Sequence, residues 1–156
     1  MLQAAADILI GTRQRLANSL KDLPQEKWFE QPEGFTNNVA WNVGHLVLAQ
    51  QGLCYQRCGV TPPIGMEKLG EMRKMYGGGT SPADWDENPD TDELLKMLTE
   101  LPAHMTEDIA AGKFDGYEKP EPQEGRFPPP DSVLHAFIFN QYHEGLHAGT
   151  IGEILG

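Results

Sequence analysis

The chain has 156 residues, enough for a domain with a real core. It is 39% hydrophobic and 22% charged, a folding composition that excludes intrinsic disorder. The formal net charge of −11 repels phosphate backbones and anionic membrane surfaces, and basic residues cluster only in pairs such as Arg13 with Arg15, so neither nucleic acid nor a membrane is an expected partner.

The first predicted helix spans Gln3 to Leu23. Ala5, Ile8, Leu9, Leu16, Leu20 and Leu23 recur at three- and four-residue spacing, and Pro24 stops it. An Asp inside this segment and the lack of a leading cation mark an amphipathic helix, not a signal peptide. No apolar run reaches the roughly 18–20 residues that cross a bilayer, so a cytoplasmic location is expected. A second helix is predicted from Asn37 to Arg57, with Thr36, Asn37 and Asn38 as possible N-caps and Gly59 as the stop. Cys54 and Cys58 lie on it, reduced, and read as small buried hydrophobes.

Residues 59–89 form a long connection rich in Pro and Gly, with a short helix from Met66 to Met75. A third helix is expected from Thr91 to Gly112, striped by Leu94, Leu95, Leu98, Leu101, Met105 and Ile109, and kinked or divided at Pro102. A proline-rich connector, 116–130, leads to a last helix that opens at Asp131 or Ser132 and runs to Leu155. Strand periodicity is nearly absent. The expected fold is all-α: a single-domain four-helix bundle over residues 1–156 with two long connections.

The last helix carries His143-Glu144-Gly145-Leu146-His147, which spells the H-E-x-x-H zinc signature. Its two histidines are four apart and project from one mainly apolar face, so both nitrogens can reach one ion. A buried imidazole pair needs a partner, and a metal supplies one. The zinc-protease reading lacks its usual downstream third ligand. Glu153 is the one candidate after His147, and it points about 240° around the helix from it. The extended signature with Gly and a third His also fails.

A third ligand therefore comes from elsewhere. His135 is poorly aimed and reads as structural, and His104 reads as a surface residue. His45 sits mid-helix on a face with Trp41, Leu48, Ala49 and Gly52, where a shared metal explains it. Cys54 and Cys58 point to the opposite side. The expected site is His45, His143 and His147, three neutral nitrogens with an open coordination position, as in catalytic sites. Imidazole suits zinc, nickel, iron and copper alike. Glu144, about 100° around the helix from His143, reads first as a solvated or supporting carboxylate. Glu144 and Asn140 are the weak catalytic candidates, with Trp41 and Tyr142 also near the expected pocket.

Gly44-His45-Leu46 together with the H-x-x-x-H-x-G-x-I run His143 to Ile151 resembles the DinB/YfiT-like superfamily of metal-binding four-helix bundles. The resemblance implies an up-down-down-up bundle, a divalent ion (Zn, Ni or Fe) on His45, His143 and His147, and frequently a homodimer. It implies a metal-dependent transferase using a low-molecular-weight thiol, such as bacillithiol, mycothiol or glutathione, or else a hydrolase or isomerase. The competing expectations are a non-catalytic metal-stabilised module acting through protein partners, and a zincin-like protease.

Overall fold

Short polar side chains open the long helices. Asn38 Oδ1 accepts from the Trp41 amide at 2.8 Å, Asp90 Oδ1 from Asp92 and Glu93 at 2.9 and 3.2 Å, and Ser132 Oγ from His135 at 3.1 Å. The computed structural model describes residues 1–122, 124 and 128–156, and every regular element among them is helical. The α-helices are α1 (Leu2–Leu20), α2 (Gln25–Phe29), α3 (Val39–Gln50), α4 (Met66–Tyr76), α5 (Thr91–Ala110) and α6 (Val133–Leu155). A π-helical turn (Gln51–Tyr55) and a 3-10 turn (Gln56–Cys58) prolong α3, and a second 3-10 turn covers Pro82–Asp84. No helix among the described residues is long and apolar enough to cross a membrane.

Several boundaries differ from the expectation. α1 ends at Leu20, before Leu23, and Ile8 of its predicted stripe is 59% exposed. α2 is too short to carry a periodic pattern, and its buried Trp28 pins it. The predicted second helix is regular only to Gln50; beyond it the chain widens into the π turn before Gly59, at φ +74°, stops it. Pro102 does not divide α5: the helix runs through it, held by buried Leu98, Leu101 and Met105 on either side. The connector 116–130 lies partly outside the described residues.

α1 and α3 each pack against both α5 and α6, and α4 lies along α3. The apolar core falls into two clusters. One gathers Ala17 and Leu20 of α1, the body of α3, Leu69 and Tyr76 of α4, Leu94 and Leu98 of α5, and Ile151 of α6. The other gathers Ala5 and Leu9 of α1, Cys54 and Tyr55, Met105 of α5, and Phe137 of α6. Between them along the chain lie buried polar residues: Arg13 on α1, Gln50 and Gln51 at the end of α3, and Asn140 and Glu144 on α6. This polar belt is where the candidate site forms.

Candidate metal centre

The first turn of α3 prepares its histidine. Asn38 caps the helix, and its carbonyl accepts the side-chain N–H of Asn42 at 2.8 Å. That contact turns Asn42 Oδ1 outward, where it accepts Nδ1–H of His147 at 2.8 Å. His45, one turn after Asn42, donates from Nδ1 to the Tyr76 carbonyl at 2.6 Å. A carbonyl oxygen only accepts, so both imidazoles carry their proton on Nδ1 and offer the Nε2 lone pair. His45 Nε2 and His143 Nε2 stand 3.1 Å apart. Bonds of about 2.0–2.1 Å to one ion at angles between octahedral and tetrahedral put neighbouring nitrogens roughly 2.9–3.4 Å apart. One ligand nitrogen from each of His45, His143 and His147 lies within 4.8 Å of the others. The donor set, its spacing and the two fixed tautomers therefore fit a single metal ion. His143 Nδ1 is buried with no partner among the described residues.

Trp41 stacks on His45, ring centroids 4.7 Å apart and 8° from parallel. Its indole N–H donates to Thr80 Oγ1 at 2.9 Å, and Trp85 donates to the Met75 carbonyl at 3.2 Å. The glycine-rich connection after α4 is thus fastened to the site through Trp41 and His45. An open cleft of about 310 Å³ meets the histidines on another side, lined by His45, His143, Ala49, Gly52, Leu53 and Phe139 among others.

Gly44 makes room for this arrangement. A Cβ there would stand 2.4 Å from the ring of Tyr76, which is 3% exposed. Gly to Ala inside a helix ordinarily stabilises by roughly 0.5–1 kcal/mol. Gly44→Ala is expected to do the opposite, costing about 1–3 kcal/mol by overpacking. It also displaces the Tyr76 carbonyl that orients His45, so a denaturation curve and a metal titration should both shift.

Below the histidines lies a buried ion pair. Arg13, 1% exposed, donates from Nε to Glu144 Oε2 and from a terminal nitrogen to Oε1, both at 2.6 Å. The same terminal nitrogen donates to the Leu46 carbonyl at 2.7 Å. Arg13 therefore ties the residue after His45 to the residue after His143. Asn140 Nδ2 reaches Glu144 Oε1 at 3.4 Å.

Glu144 is 2% exposed, so the solvated alternative for it is corrected: α6 turns it into the core, where only a guanidinium makes its charge tolerable. Tyr142 is 63% exposed, and Trp41 sits behind His45. His104 is half exposed beside Glu107, and His135 is half exposed beside Asp131, away from the cluster. Cys54 and Cys58 are free and buried in the second apolar cluster. Sequence reasoning missed Arg13, Asn42, Tyr76 and Thr80. Arg13 had a signal, a cation on the apolar stripe between Leu9 and Leu20. Asn42 had another, three residues before His45 on its face.

Burial pulls His143 and His147 down to about 4, and the neighbouring imidazoles add to it; Arg13 also depresses His143. Burial lowers His45 as well, opposed by its bond to Tyr76 and by the charge of Glu144. The unfolded chain titrates these imidazoles near the ordinary 6.5. Between that pH and about 4 the unfolded state binds more protons, so stability falls as pH falls. The metal-free protein should lose melting temperature across this window, and a His143→Gln, His147→Gln variant should lose less. A flat profile from pH 7 to 4 would contradict the burial of neutral imidazoles.

An all-helical protein in which two helices bring three imidazoles to one point is a scaffold that could hold a metal ion. A family profile described as the DinB superfamily matches residues 8–151, and the chain belongs to that superfamily, which is associated with metals. A comparison with curated proteins finds no match.

Proposed function

We propose that the protein is a divalent-metal-dependent enzyme acting on a small molecule, of the low-molecular-weight-thiol transferase type or a hydrolase. His45, His143 and His147 are the ligands. The observation that carries this reading is the cleft of about 310 Å³, which reaches His45 and His143 and leaves the cluster open on one side. An open side suits a catalytic centre, whereas a sealed cluster would suit a structural one. A bound zinc, nickel or iron ion would lower the pKa of a thiol or water and present it as a nucleophile.

The chain's own groups do the rest. Asn42 and the Tyr76 carbonyl fix two imidazoles in the ligand tautomer. Trp41 and the segment around Thr80 close the rear of the site, and Leu53 and Phe139 line the approach. Both Glu144 oxygens are engaged by Arg13, which favours a positioning role for Glu144 over that of a general base and weighs against a zincin-like protease. The apolar clusters support the up-down-down-up bundle: α1 and α6 run from the Leu9–Phe137 cluster toward the Leu20–Ile151 cluster, and α3 and α5 run the other way.

The test is a panel of low-molecular-weight thiols against electrophiles, together with ester and amide substrates, on metal-loaded protein. Turnover that chelation removes and metal restores supports the reading. A panel without turnover, on protein of full metal content, favours the non-catalytic module.

A further inference from the structure

The side of the cleft away from the histidines carries a chemistry that the metal reading does not use. Among the described residues, the two formally charged side chains that line it are both arginines, Arg57 and Arg73. They come from different elements. Arg57 lies on the 3-10 turn after α3, and Arg73 on α4 one turn before Tyr76, whose carbonyl holds His45. Arg73 donates to the side-chain oxygen of Gln56, another lining residue, and Arg57 donates to the Pro128 carbonyl. Both guanidinium groups are held in place, Arg73 by a residue of the same cleft and Arg57 by a carbonyl on the wall of the adjoining cavity. The chain has 12 Lys and Arg against 23 Asp and Glu, so two arginines lining the cleft that reaches His45 and His143 are a local reversal of its charge.

Guanidinium groups pair with carboxylate and phosphate oxygens through two parallel N–H donors. Between the arginines and the histidines the wall is apolar, with Ala49, Gly52, Leu53 and Phe139. A volume of about 310 Å³ stands at the small end of ligand pockets, suited to a metabolite and not to a folded partner. A second cavity of about 330 Å³ shares Leu53, Arg57 and Phe139, so Arg57 stands where a longer ligand would turn.

We propose that the cleft takes a small anionic substrate, whose carboxylate or phosphate is held by Arg57 and Arg73 while its reacting end lies at His45 and His143. The proposal rests on the reading of the cleft as the substrate site. The arginines are specificity-determining residues, and they act without touching the metal ligands. On a surface of net negative charge they also decide which anions approach at all.

The test is calorimetric titration with succinate, with phenyl phosphate, and with uncharged dimethyl succinate, at low salt, on metal-loaded and chelator-stripped protein. The variants are Arg57→Gln, Arg73→Gln, their double, and Lys96→Gln as an exposed control on α5. Metal content and melting temperature are read on every sample. At least one anion should bind in preference to the ester. Each single change should weaken it roughly tenfold, the range of a charge-assisted hydrogen bond. The double change should remove the preference, and Lys96→Gln should leave it intact. Succinate alone would identify a carboxylate substrate, and phenyl phosphate alone a phosphate ester. No anion preference in the wild type, or a preference that survives in a folded double variant, overturns the proposal. Absence of bound metal alongside arginine-dependent anion binding would instead sink the metal reading and leave the anion subsite standing.

Discussion

Arg13→Ala should be the most destabilising single change away from the histidines. It leaves Glu144 charged, 2% exposed and without its guanidinium, and breaking a buried pair in this way costs about 3–5 kcal/mol. For a chain of this size that corresponds to a fall of about 6–20 °C in melting temperature. Replacing both partners with apolar residues, Arg13→Met with Glu144→Leu, should recover most of the loss, because no charge is then stranded. The double variant should still bind metal less tightly than the wild type. Arg13 holds the Leu46 carbonyl and Glu144 together, and these adjoin His45 and His143. Thermal denaturation and a metal titration on the three proteins separate the two roles. A loss under about 1 kcal/mol for Arg13→Ala would mean that water replaces the guanidinium and that the belt is not dry.

The next largest effect is the stabilisation that metal confers. A ligand that binds only the folded state at about a thousand times its dissociation constant adds about 4 kcal/mol. Zinc or nickel at that level should therefore raise the melting temperature by about 8–16 °C, and a chelator should reverse the rise. The tautomers imposed by Tyr76 and Asn42 make the three histidines a site in waiting, so little of the binding energy is spent on ordering them. In His143→Ala the same metal concentration should shift the melting temperature hardly at all, because two nitrogens bind weakly. Asn42→Ala should fall between: the ligands remain, but His147 loses the acceptor that aims it.

How much of this was legible in the sequence follows from what each feature depends on. The long helices were legible because periodicity and capping are local: Asn38 and Ser132 stand among the cap candidates of α3 and α6, and the leucine stripe from Leu94 marks α5, whose cap Asp90 sequence reasoning missed. His45, His143 and His147 were legible because a histidine on an apolar helical face needs an explanation wherever the helices pack. The π turn was not, since nothing in Gln51–Tyr55 distinguishes a wider turn from a regular one until the packing of α3 on α6 is known. The place of Glu144 was hidden for a similar reason. Its neighbour is Arg13, far away in the chain, and an H-E-x-x-H string suggests a catalytic base before it suggests a buried ion pair. The Tyr76 carbonyl leaves no side-chain signature at all, and only the fold places the end of α4 against His45.

The most direct test of the central claim is metal content after loading and exhaustive dialysis, read by elemental analysis on the wild type, His45→Ala, His143→Ala, His147→Ala and His104→Ala. One shared ion requires about one metal per chain in the wild type and in His104→Ala, and near none in each of the other three. Full occupancy in His45→Ala, with loss confined to the two α6 variants, would contradict a site assembled across α3 and α6.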